Sequence, residues 1–206
     1  MRLSKARVSE WKKELEGLAK VATSQPQAAL AAFIHGLVGK WTYAFRVAAV
    51  MSGPHLDDLE RSICETLIPA LTNQPAPTET VRNLLALPVR LGGMGLRHPT
   101  RTCNAQREKS LAITKPLVKR IREQCGDMRK CELEQQIIKK HIRKQYREFL
   151  KDEMATLTSA LPPTQSRCAV VAQEKGSSSW LSALPIEQPG FSQSKGQFWD
   201  AVSLRY

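Results

Sequence analysis

The chain has 206 residues, with 31 Lys and Arg against 19 Asp and Glu, for a net charge of +12. A 42% hydrophobic and 24% charged composition is that of an ordinary globular protein and excludes wholesale disorder. No run approaches the ~18–20 consecutive apolar residues of a bilayer-spanning helix, and the length suits one domain or two small ones.

The periodicity is helical almost throughout. From Ser4 to Val21, Val8, Trp11, Leu15, Leu18 and Val21 recur at three- and four-residue steps and leave Lys12, Lys13, Glu14 and Glu16 outside. Ser24 is suited to N-cap a long helix with Pro26 in its first turn, running to about Met51 and closed by Ser52, Gly53 and Pro54. Its apolar face is Leu30, Phe33, Ile34, Leu37, Trp41, Phe45 and Ala48. A third helix is predicted from His55 to Ala70, with Leu56, Leu59, Ile63, Leu67 and Ile68 inward. Residues 73–78 form a short rigid loop, and Thr78 caps a brief helix through Leu87.

Leu84 to Pro99, LLALPVRLGGMGLRHP, is the most distinctive stretch. An apolar helix end meets a proline, then Gly92, Gly93 and Gly95, which can take positive φ and so predict a glycine-rich turn or small hairpin near 88–98. Leu91, Met94 and Leu96 would anchor it. Helical periodicity resumes from Thr100 to Glu123, with Pro116 predicting a kink or break, and from Met128 to Leu157, with Gly126 between the two. The second of these should turn Cys131, Ile138, Ile142, Tyr146, Phe149 and Leu157 inward. Pro162 and Pro163 stop it, and a short helix is predicted over Thr164 to Gln173. KGSSS, residues 175–179, reads as a flexible joint; a loop-rich apolar segment and a final short helix with Phe198, Trp199, Val202 and Leu204 follow. Strand propensity is thin, so the fold class is mostly α.

Catalytic chemistry finds little footing. Asp57 and Asp58 follow Pro54 and His55 at a helix start, where acids favour the N-terminal dipole, so no catalytic role is assigned to them. The glycine turn lacks the Lys-Ser or Lys-Thr of a phosphate-binding P-loop, since Leu96 and Arg97 follow Gly95. Cys125 and Cys131, or His98 and Cys103, are not spaced as a closed zinc site requires, and no metal or cofactor is expected. The five cysteines are odd in number and irregularly spaced, and the N-terminus is amphipathic with no apolar leader core. Reduced thiols in an intracellular compartment are the expectation.

The strongest physical signal is basic. Lys140, Lys144, Arg147 and Lys151 share one helix face opposite Ile138, Ile142 and Phe149, with Lys115, Lys119, Arg120 and Arg122 on the preceding helix. Taken alone, such a stripe is as readily an ordinary solvated face; its functional version tracks phosphates without reading sequence, by counterion release. Arg90 and Arg97 flank the glycine turn and could set two cations beside a nucleic-acid backbone. Lys40 and Arg46 complete the candidate contacts.

Three blocks, Ser24–Arg46, Leu84–Thr100 and Glu174–Tyr206, together about a third of the chain, resemble the post-palm region of non-LTR retroelement reverse transcriptases of the restriction-like-endonuclease type. The resemblance implies a multi-helix thumb and linker that grips a template–product duplex. It implies residues 1–98 as a thumb-like segment ending in the glycine turn, 99–174 as a basic helical linker, and 175–206 as a loop-rich C-terminal segment. It also implies a polymerase palm with paired aspartates upstream, and a zinc knuckle and endonuclease downstream, as partners within a parent RNA-directed DNA polymerase. None of those centres is in this sequence, so the expectation is a non-enzymatic fragment that holds RNA or DNA by its phosphates, nuclear in location. The alternative is a helical protein–protein interaction module derived from a retroelement, docking through Trp180, Phe191 and Trp199.

Overall fold

The computed structural model describes residues 5–47, 54–124, 128–186, 188 and 190–206, and among them every regular element is a helix. None is long and apolar enough to cross a membrane. Ala48, Met51 to Gly53, Cys125 and Gly126 lie outside the described residues.

Helix α1 (Lys5–Ala22) buries Val8, Trp11, Leu15, Ala19 and Ala22. Val21 is 45% exposed, because the chain turns at the end of α1 and the small Ala22 takes the buried place. Ser24 does not cap the next helix. Its hydroxyl donates back to the Val21 carbonyl at 3.1 Å, and α2 (Pro26–Ala32) starts on Pro26 with Gln25 before it and no side-chain cap. A π-helical turn, Phe33–Leu37, carries α2 into α3 (Val38–Val47). The extra residue in that turn lets Phe33 and Trp41 meet edge to face, ring centroids 5.6 Å apart. Trp11 meets Trp41 at 5.8 Å with the rings tilted by 38° and Phe45 edge-on at 6.0 Å, so one aromatic knot joins α1 to α2–α3.

Helix α4 (Pro54–Ser62) passes through a second π-turn, Ile63–Leu67, into α5 (Ile68–Thr72). Asp57 sits in its first turn and Asp58 pairs with Arg61 at 3.2 Å, the helix-start role the sequence gives them. Leu56, Leu59, Ile63, Leu67, Ile68 and Leu71 enter the same core as α1 and α2. Thr78 accepts from the Val81 amide at 3.4 Å and caps α6 (Glu79–Ala86).

Helix α7 (Pro99–Arg122) continues through Pro116 without the break that the proline predicts. Proline removes one backbone donor, but α7 packs against α3, α4 and α8, and Pro116 itself is buried. Helix α8 (Met128–Ala160) packs against α7 and α6. Leu150, Met154 and Leu157 join Leu84, Leu87, Leu161 and Ala169 in a second, smaller core beneath α9 (Pro163–Val171). Cys131 and Leu157 are buried as expected, but Phe149 is not: it is 56% exposed. The helix has α6 and α9 on the side of Leu150 and Met154, and Phe149 falls on the open flank.

The C-terminal segment closes over the first core. Residues 175–178 are turned and Ser179 opens the next helix; within the expected flexible joint, Ser178 is buried and its hydroxyl donates to the Ala172 carbonyl. Helix α10 (Ser179–Ser182) precedes a loop that the buried amide of Gln27 gathers onto α2. It donates to Ala183 and Phe191 carbonyls at 3.3 and 3.0 Å and accepts from the Gln193 amide at 2.8 Å. In α11 (Lys195–Ser203), Phe198 and Val202 enter the main core while Leu204, just beyond, is 79% exposed. Trp180 meets Phe198 edge to face at 5.6 Å, and both Trp180 and Trp199 pack on the core, which leaves Phe191 the one exposed aromatic of the expected docking trio.

Ser194 and Gln197 form a reciprocal capping box at the start of α11, Ser194 accepting from the Gln197 amide at 3.3 Å and Gln197 from the Ser194 amide at 2.9 Å. Ser194→Ala is expected to cost about 1 kcal/mol, read as a shifted urea midpoint with unchanged slope. A neutral result would mean that packing of Phe198 alone sets the helix.

Candidate nucleic-acid interface

The glycine turn is the part that places the candidate cations. After α6 the chain makes one 3-10 turn, Val89–Leu91, and Gly92 then takes φ of +86°. The segment folds back along α6 with no strand ladder: Met94 and Leu96 amides both donate to the Leu85 carbonyl at 3.1 Å, and Gly95 to Leu87 at 2.8 Å. Gly93 has no positive φ; it is glycine because a Cβ there would sit 2.1 Å from the Leu87 carbonyl oxygen. Met94 and Leu96 are fully buried, as their anchoring role requires.

Both ends of this turn are pinned by buried polar groups that no sequence pattern announced. On one side Arg82, 3% exposed, lays its guanidinium against Glu60, Nε to Oε1 at 2.7 Å and Nη2 to Oε2 at 3.0 Å, while Nη1 donates to the Leu96 carbonyl. His98 bridges Glu60 Oε1 at 3.0 Å and the Asn83 side-chain oxygen at 2.9 Å. Burial pushes the Glu60 carboxyl upward, but hydrogen bonds from His98 and the charge and hydrogen bonds of Arg82 outweigh it and hold the group at about 2. Cys64 donates to Glu60 Oε1 at 3.3 Å; burial, then the Glu60 charge, push its thiol up to about 11. At neutral pH the thiol is therefore protonated and is not the nucleophilic thiolate. On the other side the Tyr206 hydroxyl donates to the Gly92 carbonyl at 2.8 Å, with Arg205 Nε on the same oxygen at 3.4 Å. Burial pushes the Tyr206 phenol well above its ordinary value, against a smaller downward pull from Arg205.

Arg97 lies between the two pins and is exposed. It lines two hollows at once. The smaller, about 480 Å³, lies between the turn and α3 and also presents Arg46, Thr42 and Tyr43. Arg46 and Arg97, distant in sequence, thus share one depression, and Arg46 is oriented there by Gln106 of α7 at 3.1 Å. The larger, about 520 Å³, is a cleft between α7 and α8 whose walls carry Arg97, Arg101, Lys109, Tyr146 and Phe149. Arg101 pairs with Glu153 at 3.3 Å, and Lys109 Nζ rests 4.2 Å over the Tyr146 ring. Burial and then the neighbouring Arg97 charge depress the Lys109 amine below its ordinary value.

The remaining candidates are distributed differently. Lys140, Lys144, Arg147 and Lys151 are all exposed on α8. At 3.6 residues per turn they lie roughly 150° around the helix from Ile142, Tyr146 and Glu153, which face the cleft. Only Glu148 intrudes, 4.0 Å from Lys144. Lys40 is drawn back to α1 by Glu14, with Glu10 at 4.0 Å. Arg90 is exposed at the 3-10 turn and lines neither hollow. On the earlier helix Arg120 pairs with Glu134 at 3.3 Å and Lys119 with Glu123 at 3.9 Å. Arg101, Lys109 and the cleft face of Phe149 escape a reading of the sequence, since nothing local marks an inward-spaced aromatic as an open one.

Compared with protein-family models, curated proteins and solved structures, the chain matches none.

Proposed function

We propose that the chain is a non-catalytic segment that grips nucleic acid through its phosphates, as the thumb and linker of a non-LTR reverse transcriptase-like protein would. The single observation behind this reading is that its cations are gathered: Arg46 with Arg97 on one hollow, Arg97 with Arg101 and Lys109 on the next, and the four-residue stripe on the outward face of α8. Such a surface holds a polyanion by releasing counterions and reads no bases. The palm that forms bonds, and the knuckle and endonuclease of the parent polymerase, would be supplied by neighbouring sequence, in the nucleus.

Titration of a labelled oligonucleotide at a series of salt concentrations tests it. Affinity should fall steeply with salt, with log K against log [salt] sloping by about −0.7 to −0.9 for each phosphate engaged. Replacing Lys140, Lys144, Arg147 and Lys151 by Gln should flatten that slope by about one for each phosphate no longer neutralised. Absence of binding at low salt, or a slope near zero, would remove the proposal.

A second reading, a helical protein-interaction module, draws on the outer half of the α7–α8 pair. There Leu111, Ile121, Leu133 and Ile137 are 55%, 60%, 60% and 67% exposed. The adjoining coding sequence discriminates: a frame encoding an aromatic-x-Asp-Asp motif upstream and a Cys/His cluster downstream belongs to the first reading alone.

A further inference from the structure

The α7–α8 cleft differs from the outer stripe in kind, because it joins cations to an open aromatic. Phe149 presents more than half its surface to solvent on the cleft wall, and among the described residues no other ring stacks on it. Tyr146, one turn earlier, is already covered by Lys109, which the ring holds over the cleft. Arg97 has no carboxylate partner among the described residues and lines the cleft together with Lys109, whose charge is disfavoured by burial first and by Arg97 second. An anion in the cleft would meet both cations. Glu108 and Glu153 also line the cleft, but Glu153 is taken by Arg101. The volume, about 520 Å³, lies in the range of about 300–1,000 Å³ that holds a small organic group.

We infer that this cleft takes an unstacked base of a single-stranded nucleic acid, the base lying on Phe149 and the adjoining phosphates on Arg97 and Lys109. The inference rests on the phosphate-gripping reading and narrows it to single strands, since a base inside a duplex offers no free face to a side chain. The occupant is a strand and not a free nucleotide because the cation track continues past the cleft. Arg97 is shared with the second hollow, where Arg46 and the 70%-exposed Tyr43 extend the same alternation of charge and ring. Stacking on an aromatic face is tolerant of base identity, so little sequence preference is expected.

The test compares the full chain and its Phe149→Ala and Phe149→Trp variants by fluorescence anisotropy. The probes are a labelled oligo-dT, an abasic strand of equal length, a duplex of equal length, and dTMP as competitor. Oligo-dT should bind more tightly than the abasic strand; Phe149→Ala should weaken oligo-dT about ten-fold and leave the abasic strand and duplex unchanged; Phe149→Trp should restore the affinity. Because Phe149 is exposed, the alanine variant should keep the wild-type urea midpoint. Equal binding of all three polymers, insensitive to Phe149→Ala, would overturn the cleft while leaving the phosphate grip standing. Saturation by dTMP at concentrations that match the strand would overturn the strand as occupant. No binding of any polymer at low salt would overturn both readings.

Discussion

Arg82→Met is expected to lower the free energy of unfolding by about 3–5 kcal/mol, the cost of removing one partner from a buried ion pair. The substitution keeps most of the side-chain volume, so the loss is electrostatic. Glu60, with its side chain 19% exposed, would retain only His98 and the weak Cys64 thiol, and the Leu96 carbonyl would lose its guanidinium donor. The pH dependence separates this from simple loss of packing. In the native chain Glu60 is held at about 2 against an ordinary 4.5. A carboxyl depressed on folding contributes stability that is complete above its unfolded value and disappears as pH falls through its folded one. About 3 kcal/mol should therefore be lost between roughly pH 5 and pH 2 in the native chain, and much less in the variant. Urea unfolding followed by fluorescence of the buried Trp11 and Trp41 reads both quantities. A variant within about 1 kcal/mol of the native chain, with the same acid limb, would mean that the Glu60–Arg82 pair does not hold the turn.

Gly93→Ala is expected to be of similar size, about 3 kcal/mol or more, for a steric reason. The added Cβ would meet the Leu87 carbonyl oxygen at 2.1 Å, its carbon at 2.5 Å and the Leu84 oxygen at 2.7 Å. All three are backbone atoms at the end of α6, so no rotamer can yield; the turn itself must move. That movement would break the Met94 and Leu96 bonds to Leu85 and carry Arg97 away from both Arg46 and Lys109. Under the proposed phosphate grip, a folded fraction of the variant should accordingly show weaker oligonucleotide binding than the native chain at equal salt, although Gly93 is itself buried. Native-like stability together with native affinity would show that the turn has slack that its hydrogen bonds do not suggest.

The two substitutions mark where local reading stops. The glycine turn is visible in the sequence as a turn, yet the reason for its middle glycine is not. Positive φ is a property that composition suggests, whereas Gly93 answers to a carbonyl on the helix before it. Nothing in the sequence singles out Arg82 on its short helix, and only the approach of α4 makes it a buried anchor. Phe149 is the converse case. Its spacing with Ile142 and Tyr146 is that of a core face, and it is open because the neighbouring helices cover Leu150 and Met154 instead. Pro116 shows the same limit on the backbone: its missing donor predicts a break, and flanking helices hold α7 continuous.

The helical class, most helix bounds and the place of the reversal at 88–98 are legible in the chain because they follow from residue spacing and backbone preference within a few turns, and the excess of positive charge follows from composition. Which cations stand together was decided by the tertiary structure alone. Arg46, Arg97 and Lys109 reside on three separate segments, and a shared hollow or cleft exists only once α3, the pinned turn and the α7–α8 pair are packed. Charge is a property of composition, but its usefulness to a phosphate depends on distances of a few ångströms, and those are set by contacts between residues far apart in the chain.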